Sequence, residues 1–197
     1  QVALVEPLQK NLALKKAKLE LVLQAYARAA EDGQAEVVTA ATFHTAALYQ
    51  DFAQALMASQ RPKKLKPAEL EQYNVMLEEQ AFPFEEKAAE IHALNARRAT
   101  EGQYDTWVQQ SFAALRTLQP VRWGKTERSD GSASPVAALN RQAIALRQKG
   151  DFPAARAAWE QALAQSPNYA PAVLNLGVLF DLYLADPARA LAQYERF

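Results

Sequence analysis

Between Leu8 and Glu31 the apolar residues Leu12, Leu19, Leu23, Tyr26 and Ala30 fall at helical intervals, which line them up along one face. Lys10, Lys15, Lys16, Lys18 and Glu20 lie mostly off that stripe, so the segment reads as an amphipathic helix ended by Glu31, Asp32 and Gly33. A second long helix is predicted from about Gln34 to Ser59, with Val38, Phe43, Leu48, Phe52 and Leu56 facing inward. The two form an antiparallel hairpin. Arg61, Pro62, Lys63, Lys64, Leu65 and Lys66 make a basic loop, and Pro67 suits the first turn of a third helix, where its missing N–H costs nothing. That helix carries Leu70, Tyr73, Met76 and Leu77 to about Ala81, is expected to break or kink at Pro83, and continues from Phe84 to Glu101. Gly102 marks a corner, and Tyr104 to Leu118 forms a further helix ended by Pro120.

The pattern changes at Arg122. From there to Ser134 the chain is polar, with Gly124, Ser129, Gly131 and Ser132, and reads as a linker between an N-terminal helical module, residues 1–121, and a regular region, residues 135–197. In the latter, Leu139, Leu146, Gly150, Ala155, Trp159, Ala162 and Pro167 set out a helix–turn–helix of large, small and helix-ending residues. Val173, Leu176, Gly177, Phe180, Ala190 and Tyr194 restate it roughly 34 residues on, with one extra residue before Ala190. Gly150 and Asp151 supply the turn, Ala155 and Ala162 a close approach of helices, and Trp159 the bulk beside them.

This region resembles the tetratricopeptide repeat (TPR), a scaffold that binds other proteins and performs no chemistry itself. The resemblance implies an all-α chain of antiparallel hairpins stacked as a right-handed TPR-like α-solenoid. Ala89 to Pro120 is a weaker TPR-like hairpin, in which Gly102, Phe112 and Pro120 match and His92, Asn95 and Ala99 stand where larger apolar residues are usual. Repeats bury their faces by stacking. The second one stops at Phe197 with Leu191 and Tyr194 facing a missing neighbour, and the chain starts at Gln1, so a trimmed piece of a longer protein is expected.

Composition agrees with helix: half of the residues are apolar and only six are glycine, while about one in five is alanine. Net charge is zero, which gives no field to gather nucleic acid. No cysteine is present, so disulfides and thiolate metal sites are excluded, and no apolar run is long enough to span a bilayer. No glycine-rich phosphate loop or His-Glu-x-x-His motif occurs. His92 lies near Glu85, Glu86 and Glu90, but that spacing is more simply a solvated face than a metal site. No serine has the setting of a nucleophile, and the pairs Glu78–Glu79 and Glu85–Glu86 diverge around a helix. The expectation is a non-enzyme, with no catalytic residue, metal or cofactor. The basic loop reads as a solvated connection.

Glu71 to His92, followed by Asn95 and by Tyr104 to Val108, resembles the helical region of large bacterial cell-envelope TPR proteins that occur with proton-driven Tol/Exb-type motors, some of them in gliding motility. That resemblance implies a periplasmic, outer-membrane-associated adaptor with motor-complex or envelope proteins as partners. In TPR arrays the first helix of each pair lines the groove that receives a peptide or a partner helix. Here that places Asn140, Ile144 and Arg147 on the inner face of the first repeat, and Leu174, Asn175, Val178 and Asp181 on that of the second. The asparagines suit a peptide backbone, and Arg147 suits an acidic side chain or terminal carboxylate. Ile144 and Val178 stand where a carboxylate clamp needs polar residues, which disfavours chaperone-tail recognition. Two other readings remain open: a recruiting module of a larger enzyme, and a self-assembling solenoid.

Overall fold

The computed structural model describes residues 2–197, so Gln1 and the trimmed start read from it lie outside. Among the described residues the chain is all-α: α1 (Leu8–Ala30), α2 (Ala35–Met57), α3 (Pro67–Arg97), α4 (Thr106–Leu118), α5 (Pro120–Trp123), α6 (Pro135–Gln148), α7 (Phe152–Gln165), α8 (Ala170–Val178) and α9 (Pro187–Arg196). A 3-10 turn at Arg98–Glu101 and a π-helical turn at Leu179–Tyr183 complete the set. Helices pack mainly on their neighbours in the chain, the habit of a TPR-like helical solenoid. Two compact units are present, Gln1–Asn95 and Ala96–Phe197, and residues 122–134 fall inside the second.

In the first unit the stripe predicted for α1 is its half-buried face, and no α1 residue is fully buried. Leu8, Leu12 and Leu19 pack on a core of Leu4, Phe52, Ala53, Leu56 and Ala81. The extended N-terminal segment is held there: Gln60 N–H donates to Leu4 O at 2.8 Å, and Glu6 N–H to Gln60 Oε1 at 2.9 Å. α3 runs through Pro83 without a break. Pro83 lacks the N–H that would reach Glu79 O, but both residues are exposed, so water can satisfy that carbonyl. Further along α3, Asn95 Nδ2 donates to Thr39 O at 3.1 Å. The buried His92 ring lies against Phe43, with Nε2 3.1 Å from Gln50 Oε1.

The second unit starts its helices with a repeated device. Asp105, Ser134, Asp151 and Asp186 accept backbone N–H bonds at the starts of α4, α6, α7 and α9, and prolines open α6, α7 and α9. The core is aromatic: Tyr183 lies 4.8 Å from Phe112 and 5.4 Å from Phe152, ring centre to ring centre, and Trp159 is fully enclosed. The two hairpin corners are closed by matching bonds, Asp151 N–H to Leu146 O at 3.0 Å and Asp186 N–H to Phe180 O at 2.8 Å. The first pair is five residues apart and the second six. The extra residue seen in the sequence is therefore absorbed between Phe180 and Asp186, where α8 widens into its π turn.

Gly150 sits at the first corner with φ 84°, and a Cβ there would lie 2.8 Å from Tyr104 Cδ1. Gly102 has a similar φ of 82° but opens on empty space. A left-handed alanine costs about 1–2 kcal/mol, and forced overpacking about 1–3 kcal/mol more. Gly150→Ala is therefore expected to lower the unfolding free energy by about 3 kcal/mol and Gly102→Ala by about 1 kcal/mol, as read by urea titration. His92 gives a second test. Burial pushes its pKa from 6.5 down to about 4. Between those values the unfolded chain binds the proton and the folded chain does not, so stability is complete above pH 6.5 and falls as pH drops towards 4. About 3 kcal/mol should be lost across that window in urea titrations, and His92→Gln should flatten the profile.

Candidate functional site

Residues 124–133 form no helix. They run as a strap along α6 and α8, and burial alternates along its start: Trp123, Lys125 and Glu127 are partly to largely buried while Gly124, Thr126 and Arg128 are exposed, the period of an extended strand. The inward side chains meet charges. Lys125 Nζ lies 2.7 Å from Asp181 Oδ2, and Arg122 Nη1 lies 2.8 Å from Asp181 Oδ1. Glu127 faces Arg147: Nη2 donates to Oε2 at 2.8 Å and Nε meets Oε1, with both side chains about nine-tenths buried. The guanidinium also lies over the Tyr183 ring at 5.1 Å. Beyond them Arg141 Nη1 donates to Ser132 O at 2.6 Å, so the strap descends antiparallel to α6 towards its cap, Ser134.

At the centre the strap is held by its backbone. Asn175 Oδ1 accepts the Arg128 N–H at 2.8 Å, and Arg128 O accepts from Asn140 Nδ2 at 2.9 Å and from Asn175 Nδ2 at 2.8 Å. Both asparagines are fully buried. Their orientation is fixed from behind. Trp159 Nε1–H, which can only donate, points at Asn140 Oδ1 at 2.8 Å, and the same oxygen accepts from Asn175 Nδ2 at 2.8 Å. With its oxygen committed inward, Asn140 offers N–H outward, and Asn175 is left offering an oxygen beside an N–H. That pattern matches the N–H and C=O of one extended residue and reads no side chain.

Of the residues expected on the inner face, Asn140, Arg147, Asn175 and Asp181 all contact the strap. Ile144 and Leu174 are half-buried, and Val178 is 1% exposed. The sequence pattern marks Arg122, Lys125, Glu127 and Arg128 only as linker, and Trp159 only as bulk. Tyr194 donates to Asp181 Oδ2 at 3.3 Å, and burial, followed by the Asp181 charge, raises its pKa above the usual tyrosine range. Burial likewise pushes Tyr183 up to about 12, so both phenols stay neutral at physiological pH.

Among the described residues no group of three or more His, Cys, Asp or Glu could hold a metal, and no helix is long and apolar enough to cross a membrane. The charged and amide groups of the site hold the chain's own strap. Asn140→Ala leaves the buried Trp159 N–H and an Asn175 N–H without their acceptor, which should cost about 2–4 kcal/mol. Asn175→Ala should cost a similar amount. Because the two amides share a bond, the double variant should lose about 1 kcal/mol less than the sum, a coupling that a urea double-mutant cycle measures.

A TPR-repeat family model matches residues 144–181, from the middle of α6 to the π turn. No curated protein and no solved structure matches the chain. The matched segment contains the first corner, Trp159 and Asn175, so the repeat signature falls on the helices that carry the site. TPR repeats are protein-interaction modules and typically non-catalytic scaffolds.

Proposed function

We propose that this chain is a non-enzymatic adaptor that holds a protein partner, in extended form, against the faces of α6 and α8. The observation that carries this reading is the asparagine pair: Asn140 and Asn175 offer one outward acceptor and two donors to a peptide backbone, and a peptide backbone is what lies on them. Main-chain recognition supplies affinity without regard to sequence, and the flanking Arg147 and Asp181 add selection by charge. The TPR-repeat match to residues 144–181 supports an interaction role.

The adaptor is placed in the bacterial cell envelope, where it joins envelope proteins or subunits of a Tol/Exb-type motor. This placement rests on the resemblance of Glu71–His92 and Tyr104–Val108 to envelope TPR proteins. Cell fractionation should find the protein in the periplasm or with the outer membrane, and recovery with the cytoplasm alone would overturn it. Photoreactive residues in place of Arg141, which is exposed beside the strap, and of Leu174 should capture an envelope protein in cells. Crosslinks confined to residues 124–134 of the same chain would sink the adaptor reading.

A further inference from the structure

We infer that the strap is a resident ligand, and that the partner is a protein segment repeating its charge order: a basic residue, any residue, an acidic residue, then the residue gripped by its backbone. This rests on the adaptor reading and states which partner the site selects. Four anchors define the register. Asp181 takes a cation at the position of Lys125, Arg147 takes a carboxylate at Glu127, and Asn140 and Asn175 take the N–H and C=O of Arg128. The two charged positions lie on the inward side of the extended chain, because residues two apart share a face. The Arg128 side chain is exposed and read by nothing inward.

The site is built for this order and against its reverse. A segment with the charges exchanged would set a carboxylate against Asp181 and a cation against Arg147. Arg147 is 8% exposed and its guanidinium lies over the Tyr183 ring, so a cation brought beside it finds little water to screen the repulsion. Asp181 is more open but already serves Arg122, Lys125 and Tyr194.

Displacement of the strap breaks no helix. From Lys125 to Ala133 it has no helical hydrogen bonds of its own, its ends continue into α5 and α6, and outward residues Gly124, Thr126, Arg128, Ser129 and Asp130 are exposed. Its release gives up contacts that an incoming segment of like pattern restores one for one. As a tethered competitor it acts at an effective concentration on the order of millimolar, so a free peptide must compete with it for the site. A partner must therefore arrive at high local concentration, or bring contacts outside the strap.

The test uses a fluorescent peptide of residues 122–134 and a second peptide with the lysine and glutamate exchanged. Lys125→Ala combined with Glu127→Gln weakens the strap and leaves the walls of the site untouched. Anisotropy titration should show this variant binding the native-order peptide at least about tenfold more tightly than the unaltered chain does, since the fraction of open sites sets the apparent affinity. The exchanged peptide should bind at least about tenfold more weakly. Equal binding of both peptides would overturn the charge register while keeping the groove as a peptide site. Binding of neither by the folded variant would overturn the groove itself. Hydrogen exchange on the unaltered chain, which needs no variant to fold, should show the amide of Arg128 losing protection when the native-order peptide is in large excess. Unchanged protection at saturating peptide would mean that the strap is fixed structure. A dimer with reciprocally exchanged straps would assign the groove to self-association and overturn the separate partner.

Discussion

The indole N–H of Trp159 can donate and cannot accept, and the second unit is organised around that asymmetry. Once it points at Asn140, the asparagine must turn its oxygen inward and its N–H outward. Asn175 follows, with an N–H towards that oxygen and its own oxygen turned to the strap. A buried residue of the repeat core thus determines what a polar surface offers. Trp159 also serves as the bulky residue beside Ala155 and Ala162, so the packing of the hairpin and the hold on the strap rest on one side chain. An interior amide network is costly when any member is left unsatisfied, and here the last bonds are completed by a backbone from outside the helices.

The repeat was readable in the sequence because its packing uses size. Gly150, Ala155, Trp159 and Ala162 occupy a close-packed hairpin that few other sizes fit, and no long-range partner is needed to infer it. The helical class and the corner at Gly150 follow from the same register. The strap was not readable. Lys125, Thr126, Glu127 and Arg128 look like solvent-exposed chain because burial of Lys125 and Glu127 depends on Asp181 and Arg147, which lie 56 and 20 residues away. Two-residue alternation is a signal of a strand when its inward set is apolar, and here that set is tryptophan, lysine and glutamate.

Elsewhere the limits were local. Pro83 suggested an interruption because proline removes a hydrogen bond, and whether water can replace that bond depends on exposure of α3. The stripe of α1 was visible, but periodicity reports direction and not depth, and its residues are only half covered. The additional residue before Ala190 was countable, although a looser corner or a π turn would fit the count equally well. The π turn keeps the closing bond from Asp186 to Phe180 and lets both hairpins use the same corner.

That turn has a consequence for the history of such a surface. An insertion inside a regular α-helix rotates everything beyond it by about 100°, which would swing α9 off its packing against α8. A π turn confines the rotation to one loop of the spiral, so the partner helix keeps its seat. Asp181 lies in that turn, beside Arg122 and Lys125. Asp181 stands 34 residues after Arg147 and both meet the strap, so a repeat can take up an added residue and keep the face it presents.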